Sequence, residues 1–515
     1  MADETDIAET IWPRDLFDEE SLGPLASEVA TLVGPDDLIT LTGDLGAGKT
    51  AFARTLIRLL TGDPELEVPS PAFTLMQVYQ GLSFSILHAD FYRIEKPQEL
   101  LELGFEEAAE SALVLVEWPQ RAAGFLDADR LEIAFALNLE RGPSYRAVTL
   151  TGRGRFAVRL ARAKAIATLL DRSGWRDAER IFMQGDASTR SYERLVKPDG
   201  SRAVLMISPP RPDGPPVRYG KSYSAIARLA ENIKPFIALS QGLRAQGLSV
   251  PEILAHDLEY GLALLEDLGD EPITSKDGIN EDHYAVAAEV LAHLHGRHLP
   301  DSLLVVENES YRIPPYDIDA LLIEVELLLD WYVPYIACVP LSSGAKATFV
   351  KIWRDAVQPL FTTRPTWTLR DYHSPNLLWL TEREGLARVG VLDFQDCVLG
   401  HPAYDVVSLA QDARIDVHQD IELRVLAYYA RLRQQHMEAD FEIASFARAY
   451  SILGAQRATK ILGIFARLDE RDKKPQYLVH LPRVEGYLAK NLAHPALAEL
   501  KLWYEEHLPR IFGCV

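Results

Sequence analysis

The stretch GDLGAGKT, residues 43–50, constrains what this chain can fold into more than any other. It fits G-x-x-x-x-G-K-[ST] at Gly43, Gly48, Lys49 and Thr50. Glycines let a backbone curl so that its N–H groups face phosphate oxygens, and a following helix adds its positive N-terminal end. Gly43, Gly46 and Gly48 then shape the loop, Lys49 reaches the β- and γ-phosphates, and Thr50 offers a hydroxyl to Mg2+. The motif needs a strand before it and a helix after it. DDLITLTG supplies the strand, and AFARTLIRLLTG supplies an amphipathic helix stopped by Gly62. SFSILHAD, ALVLVEWP, LEIAFAL and RAVTLTG read as further strands. Strand, loop and helix in this order predict an α/β P-loop NTPase fold.

Such a loop needs an acid near the magnesium and a group that places water. ALVLVEW puts Glu117 at the end of an apolar strand, where a carboxylate contact to the metal usually sits. HADFYR places Asp90 just after another strand. Either residue alone reads as a solvated strand-end acid; beside a P-loop both become candidates for the metal site or for catalysis.

GDLGAGKT, VPSPAFTL, HADFYR and VEWPQR follow one another within about 80 residues. Together they resemble TsaE, the small ATPase of the bacterial tRNA threonylcarbamoyladenosine pathway, over about residues 10–155. The resemblance implies that Lys49 and Thr50 bind nucleotide and Mg2+, and that Ser70 and Thr74 belong to a switch-like loop near the γ-phosphate. It makes Asp90 and Glu117 metal-site or catalytic acids, with Trp118 beside them. It also implies ATP hydrolysis while docked on threonylcarbamoyl-transferase proteins of the TsaB/TsaD type. One departure is Ala72, where the family more often carries a polar residue.

A chain of 515 residues has room for more than this domain. TGRGRFAVRLARAKAIATLL is basic in an otherwise acidic sequence, and the shift predicts a boundary there. The expected layout is an ATPase domain over 1–155, a linker helix over 156–175, a strand-rich lobe with a hinge over 176–280, and a helical lobe over 281–515. RIFMQGDASTRSYERLVKPDGSRAVLMIS reads as three short strands, and helical patterning dominates from Ser222 onward.

In the second part, LRDYHSPN sets Asp371 and Asn376 five residues apart, and VGVLDFQD brings Asp393 after another 17. Asp-x-x-x-x-Asn followed by Asp-Phe on an apolar strand is the kinase arrangement. One aspartate accepts the substrate hydroxyl proton, while the asparagine and second aspartate hold Mg2+ on the phosphates of ATP. GDASTRSYERL, with Ser188, Thr189 and Arg190, reads as a loop over the phosphates. LALLEDLG, with Glu266 and Leu268, reads as the interlobe hinge whose backbone meets adenine. His293, His295 and His298 do not share one helix face, so packing or hydrogen bonding is the reading for them.

SVPEILAHD, LALLEDLG, LRDYHSPN, LDFQD and GHPAYDVVSL resemble, in that order, the aminoglycoside phosphotransferase and choline-kinase-like group over about 175–500. The implied fold is α+β, bilobal and protein-kinase-like. The resemblance makes Asp371 the catalytic base, Asn376 and Asp393 magnesium ligands, and Asp405 a structural acid. Two positions depart from it. Leu369 replaces the usual histidine, and Met206 stands where the third-strand lysine is expected, with Arg190 or Lys221 as substitutes. Within the group, the pattern looks like the bacterial amino-sugar kinases (AmgK type), which phosphorylate the anomeric hydroxyl of N-acetylmuramate or N-acetylglucosamine in peptidoglycan recycling.

Charge and composition bound the rest. With 53 Lys and Arg against 75 Asp and Glu, the net charge is −22, which disfavours direct gripping of nucleic acid. Cys338, Cys397 and Cys514 form no disulfide framework, and the acidic N-terminus has no apolar signal core, so a cytoplasmic location is expected. LLIEVELLLDWYVPYIACVP carries Glu324, Glu326, Asp330 and two prolines, so it reads as buried helix and no membrane association is expected. Three readings of the second half stay open: a sugar kinase, a kinase for an aminoglycoside, choline-like alcohol or protein, and a non-catalytic adaptor of the ATPase.

Overall fold

The computed structural model describes residues 8–513, apart from 17, 139, 143, 184–189, 211–213, 277 and 436–440. Ser188, Thr189 and Cys514 therefore lie outside the described residues. The chain divides into two compact units after Arg176.

The first unit is built on seven strands: β1 (Glu9–Leu16), β2 (Leu38–Gly43), β3 (Met76–Gln80), β4 (Ser85–Asp90), β5 (Ala112–Glu117), β6 (Leu131–Leu137) and β7 (Arg146–Arg153). Their order is β1-β7-β6-β2-β5-β4-β3. The centre, β6-β2-β5-β4, is parallel, and the outer strands join antiparallel. Parallel strands are buried on both faces, which is why β5, ALVLVE, is apolar without alternation up to its last residue. Ile39, Leu41, Leu113 and Leu115 pack with Phe52 and Leu56 of the helix Lys49–Thr61; Leu38, Leu87, Val114 and Val116 build a second cluster.

Two strands go beyond the expected set. β1 contains Pro13, which lacks the ladder donor, and it is tolerated because β1 is the sheet edge paired only with β7. β3 is the opposite edge, five residues long and mostly exposed. The segment expected as a linker is the helix Arg155–Arg172, and it belongs to the first unit: its Phe156 and Leu160 are buried in the same cluster as β2 and β5.

The second unit opens with an antiparallel sheet. β8 (Glu179–Met183), β9 (Ser191–Val196) and β10 (Arg202–Ile207) lie next to Leu262–Glu266 and Ile253–Asp257. The chain then becomes helical from Glu281 to His507, with small two-stranded pairs at Thr366–Thr368/Val398–Gly400 and Leu377–Trp379/Val389–Val391. One apolar core runs from Met206 and Leu265 of the sheet, through Phe236 of the helix Lys234–Ala245, to the helix Ile443–Glu470. The buried segment around Glu324 is an α-helix, Ile318–Leu327, that widens into a π-helix, Leu328–Ala337. Among the described residues no helix is long and apolar enough to cross a membrane.

The helix Ile443–Glu470 crosses this segment at Gly463, where a Cβ would lie 2.4 Å from the Leu327 carbonyl carbon. Only a bare backbone allows that approach. Gly463→Val is expected to destabilise the second unit by about 2–3 kcal/mol. Hydrogen exchange followed by mass spectrometry would show lost protection across 443–470 and unchanged protection in β2 and β5; unaltered protection in both would contradict this packing.

Candidate nucleotide sites

The first site forms where β2 ends. Gly43 has φ 138°, and a Cβ there would sit 2.4 Å from the Phe135 carbonyl oxygen on β6, so the turn requires glycine. Gly46 and Gly48 also have positive φ, and Gly48 is the N-cap of the helix Lys49–Thr61. Lys49 folds back, donating to the carbonyls of Gly43 at 2.8 Å and Asp44 at 2.9 Å, and its ammonium lies 4.0 Å above the Trp118 ring. Burial lowers its pKa against the opposing pull of Glu117, Asp90 and Asp44.

The register of β4 and β5 brings the two acids together. Asp90 is directly opposite Glu117, and both close their strands on the face that packs against the P-loop helix. The Thr50 hydroxyl donates to Glu117 Oε1 and Oε2 at 2.8 and 2.9 Å. A P-loop hydroxyl touching a strand-end carboxylate is the donor pair that fits Mg2+ in this class of site. The Ser70 hydroxyl donates to Asp90 Oδ2 at 2.7 Å, which ties the switch-like loop to the second acid. Thr74 is exposed and joins neither acid. His88 was not singled out by the motif reading. It is fully buried, its Nε2 lies 3.0 Å from Glu117 Oε1, and its Nδ1 has no hydrogen-bond partner. Strand alternation was the available signal, because His88 must share a face with Asp90.

The second site forms on the loop after Thr366–Thr368. Asp405 is fully buried and accepts the backbone N–H groups of Leu369 and Arg370, each at 2.8 Å. Asp405 in turn lies 3.3 Å from His295 Nε2, whose Nδ1 meets the Tyr429 hydroxyl at 2.9 Å. His293 bonds elsewhere, to the Gln246 carbonyl, and His298 to Arg364, so the three histidines do not converge. Arg370 has φ 67° and is buried, with its guanidinium on Glu324 and on the Ala227 carbonyl. That left-handed residue sets the direction of Asp371.

Burial alone would raise the Asp371 carboxyl, but the cations Arg457, Lys460 and Arg370 outweigh it and hold it well below the usual carboxylate range. Arg457 Nη1 stands 3.5 Å from Asp371 Oδ1 and donates to the Arg370 carbonyl at 3.0 Å. Burial drives the His373 imidazole down to about 4, so it is neutral at 3.9 Å from Asp371. Neither Arg457 nor Lys460 was anticipated. Two cations three residues apart in a largely apolar helix were the trace they left.

Asn376 Nδ2 donates to the Asp371 carbonyl at 2.9 Å, which leaves its amide oxygen as an acceptor. Asp393 has φ 54° and accepts from Gln395 Nε2 at 2.7 Å and from Arg190 Nη1 at 3.1 Å. Burial, with Asp371 and Asp396 nearby, raises its pKa. The Asp393 carboxylate, paired with one guanidinium, and the Asn376 amide oxygen are hard oxygen donors of the kind that fit a cation such as Mg2+, with phosphate oxygens completing its shell. At the hinge, the Glu266 carboxylate is taken by Arg383 and Arg244, and its backbone N–H by the Glu252 carbonyl at 2.8 Å. A Cβ on Gly390 would lie 3.4 Å from Leu268 Cδ1, which places Leu268 over the strand leading to Asp393. Of the two substitute cations, Arg190 reaches Asp393; Lys221 is exposed on a small hairpin.

Known proteins match both units. The family model "Threonylcarbamoyl adenosine biosynthesis protein TsaE" matches residues 16–143, and "Phosphotransferase enzyme family" matches 180–439. An N-acetylmuramate/N-acetylglucosamine kinase of Caulobacter vibrioides is 38% identical over 360 residues, covering 68% of this chain and 97% of that protein. The tRNA threonylcarbamoyladenosine biosynthesis protein TsaE of Rickettsia conorii is 41% identical over 118 residues, covering 23% of this chain and 67% of its own length. Among solved structures, YdiB of Bacillus subtilis is 28% identical with a TM-score of 0.26, over 31% of this chain and 97% of YdiB. An ethanolamine kinase of Plasmodium vivax is 12% identical with a TM-score of 0.43, over 70% and 92%. The chain therefore joins two ATP-using enzyme families, belonging to the TsaE family through its first unit and, through its second, to the phosphotransferase family that includes the N-acetylmuramate/N-acetylglucosamine kinases.

Proposed function

We propose that the second unit transfers the γ-phosphate of ATP to the anomeric hydroxyl of N-acetylmuramate or N-acetylglucosamine, in cell-wall recycling. The observation that carries this reading is the ionised Asp371 beside Arg457, with Asn376 and Asp393 close by. Asp371 takes the proton of the sugar hydroxyl, the hydroxyl oxygen forms the new O–P bond, and the bond to the β,γ-bridging oxygen breaks to release ADP. Asn376 and Asp393 would hold Mg2+, which neutralises charge on the phosphates when bound. Arg457 and Lys460 hold the base ionised, although Lys460 is itself paired with Glu324 at 2.8 Å. What favours an amino sugar over an aminoglycoside is the 38% identity to an N-acetylmuramate/N-acetylglucosamine kinase. An adaptor role is disfavoured because Asp371, Asn376 and Asp393 are all present.

The first unit, in the same reading, hydrolyses ATP in support of tRNA N6-threonylcarbamoyladenosine formation while docked on TsaB/TsaD-type proteins. Thr50 and Glu117 would hold its Mg2+, and Asp90, tied to Ser70, would orient the attacking water. A cytoplasmic location follows from both activities.

The full chain, incubated with magnesium ATP and a panel of N-acetylmuramate, N-acetylglucosamine, an aminoglycoside and choline, is expected to give sugar 1-phosphates in 31P NMR. Asp371→Ala should reduce that product at least ~1000-fold. Phosphorylated aminoglycoside or choline, with no sugar phosphate, would overturn the assignment.

A pH profile tests the base itself. Because Asp371 must be ionised and its pKa is held low, it stays competent far into acid. Arg457→Gln removes the largest charge that opposes burial, so the Asp371 pKa rises. The acid limb of kcat/KM should move up by about 1–2 pH units. A profile that only scales down, without moving, would show that Arg457 does not act on Asp371.

A further inference from the structure

Kinase-like sites place a lysine on the third strand of the sheet to meet the phosphates of ATP. Here that position is Met206 on β10, 1% exposed and packed in the apolar core. The negative charge of the phosphates still has to be met, and the sheet register indicates from where. Met206 is paired directly with Tyr192 on β9, so the two side chains leave the same face. Arg190 immediately precedes β9, and its guanidinium lies close enough to the Tyr192 hydroxyl to act on it. Its guanidinium reaches Asp393 Oδ1 at 3.1 Å, with only 11% of the side chain exposed.

The neighbouring cations are committed elsewhere. Arg194 lies on Asp267 at 2.8 Å and Asp270 at 2.7 Å, and Arg202 also faces Asp267. Lys221 is exposed. A guanidinium presents a planar fork of donors that matches phosphate in two-point fashion, which a strand lysine does not.

Resting on the kinase reading above, we propose that Arg190 grips the ATP phosphates in place of the absent third-strand lysine, and that in the nucleotide-free protein it is parked on Asp393. Arrival of nucleotide moves the guanidinium from carboxylate to phosphate and leaves Asp393 to the metal. The cation is thus supplied from the residue that leads into the second strand of the sheet instead of from the third strand.

The test uses the full chain in a Lys49→Ala background, which removes the P-loop's contribution to ATP binding. Magnesium ATP affinity and the KM for ATP in sugar phosphorylation are both measured. Arg190→Ala should weaken ATP affinity roughly 10–100-fold. Arg190→Lys should recover only part of the loss, because it restores the charge without the two-point fork, and Met206→Lys placed in the Arg190→Ala chain should also recover part by restoring a cation on the neighbouring strand. Wild-type affinity in Arg190→Ala, or no recovery by either lysine, would overturn the proposal. If the parent chain phosphorylates no sugar, the kinase reading fails separately, and the affinity series still decides the role of Arg190.

Discussion

In both units the chain must turn out of a buried strand and present a carboxylate without leaving backbone groups unpaired. Each time it does so through a residue in the left-handed region. Glu117 closes β5 and is followed by Trp118 at φ 59°. Arg370, at φ 67°, precedes Asp371, and Asp393 itself has φ 54°. Non-glycine residues adopt that conformation at a cost, so the surroundings must enforce it. In the second unit the enforcement is visible: Asp405 holds the amides of Leu369 and Arg370, Ser408 and Arg457 hold the Arg370 carbonyl, and Glu324 holds its guanidinium. The position of Asp371 follows from those contacts. The usual histidine of this loop is replaced by Leu369, and His295 reaches Asp405 instead from the helix Glu281–His295.

The two sites meet phosphate by different means. The first relies on backbone: a glycine loop pressed against β6, a helix N-terminus, and one lysine held on its own loop until a ligand draws it away. The second, in the reading proposed above, would rely on side chains, Asn376 and Asp393 for a metal and Arg190 nearby. In a chain of net charge −22, polyanionic nucleotides would be met by local cations and N–H groups, not by a broad basic surface. A link to tRNA, in this account, runs through partner proteins.

Much of this was legible in the sequence because the chemistry sits in short motifs. The P-loop, Glu117, Asp90, Asp371, Asn376 and Asp393 are fixed by spacings of a few residues, and the parallel strands announce themselves by unbroken apolar runs. What was not legible depends on long-range pairing. β1 was hidden by Pro13 and its charged residues, which only an edge position allows. The helix Arg155–Arg172 reads as a basic linker because its exposed face is charged, although Phe156 and Leu160 anchor it. Arg457 and Lys460 are more than 80 residues from Asp371 in sequence, and Arg190 is 203 residues from Asp393. No local pattern can express such contacts.

The central claim is that one chain carries two separately built magnesium-ATP sites. Calorimetric titration of the full chain with a non-hydrolysable ATP analogue and Mg2+ tests it most directly. The account predicts two sites per chain, with Lys49→Ala removing one and Asp393→Ala removing the other. A single site in the unaltered chain, or either substitution abolishing all binding, would contradict it.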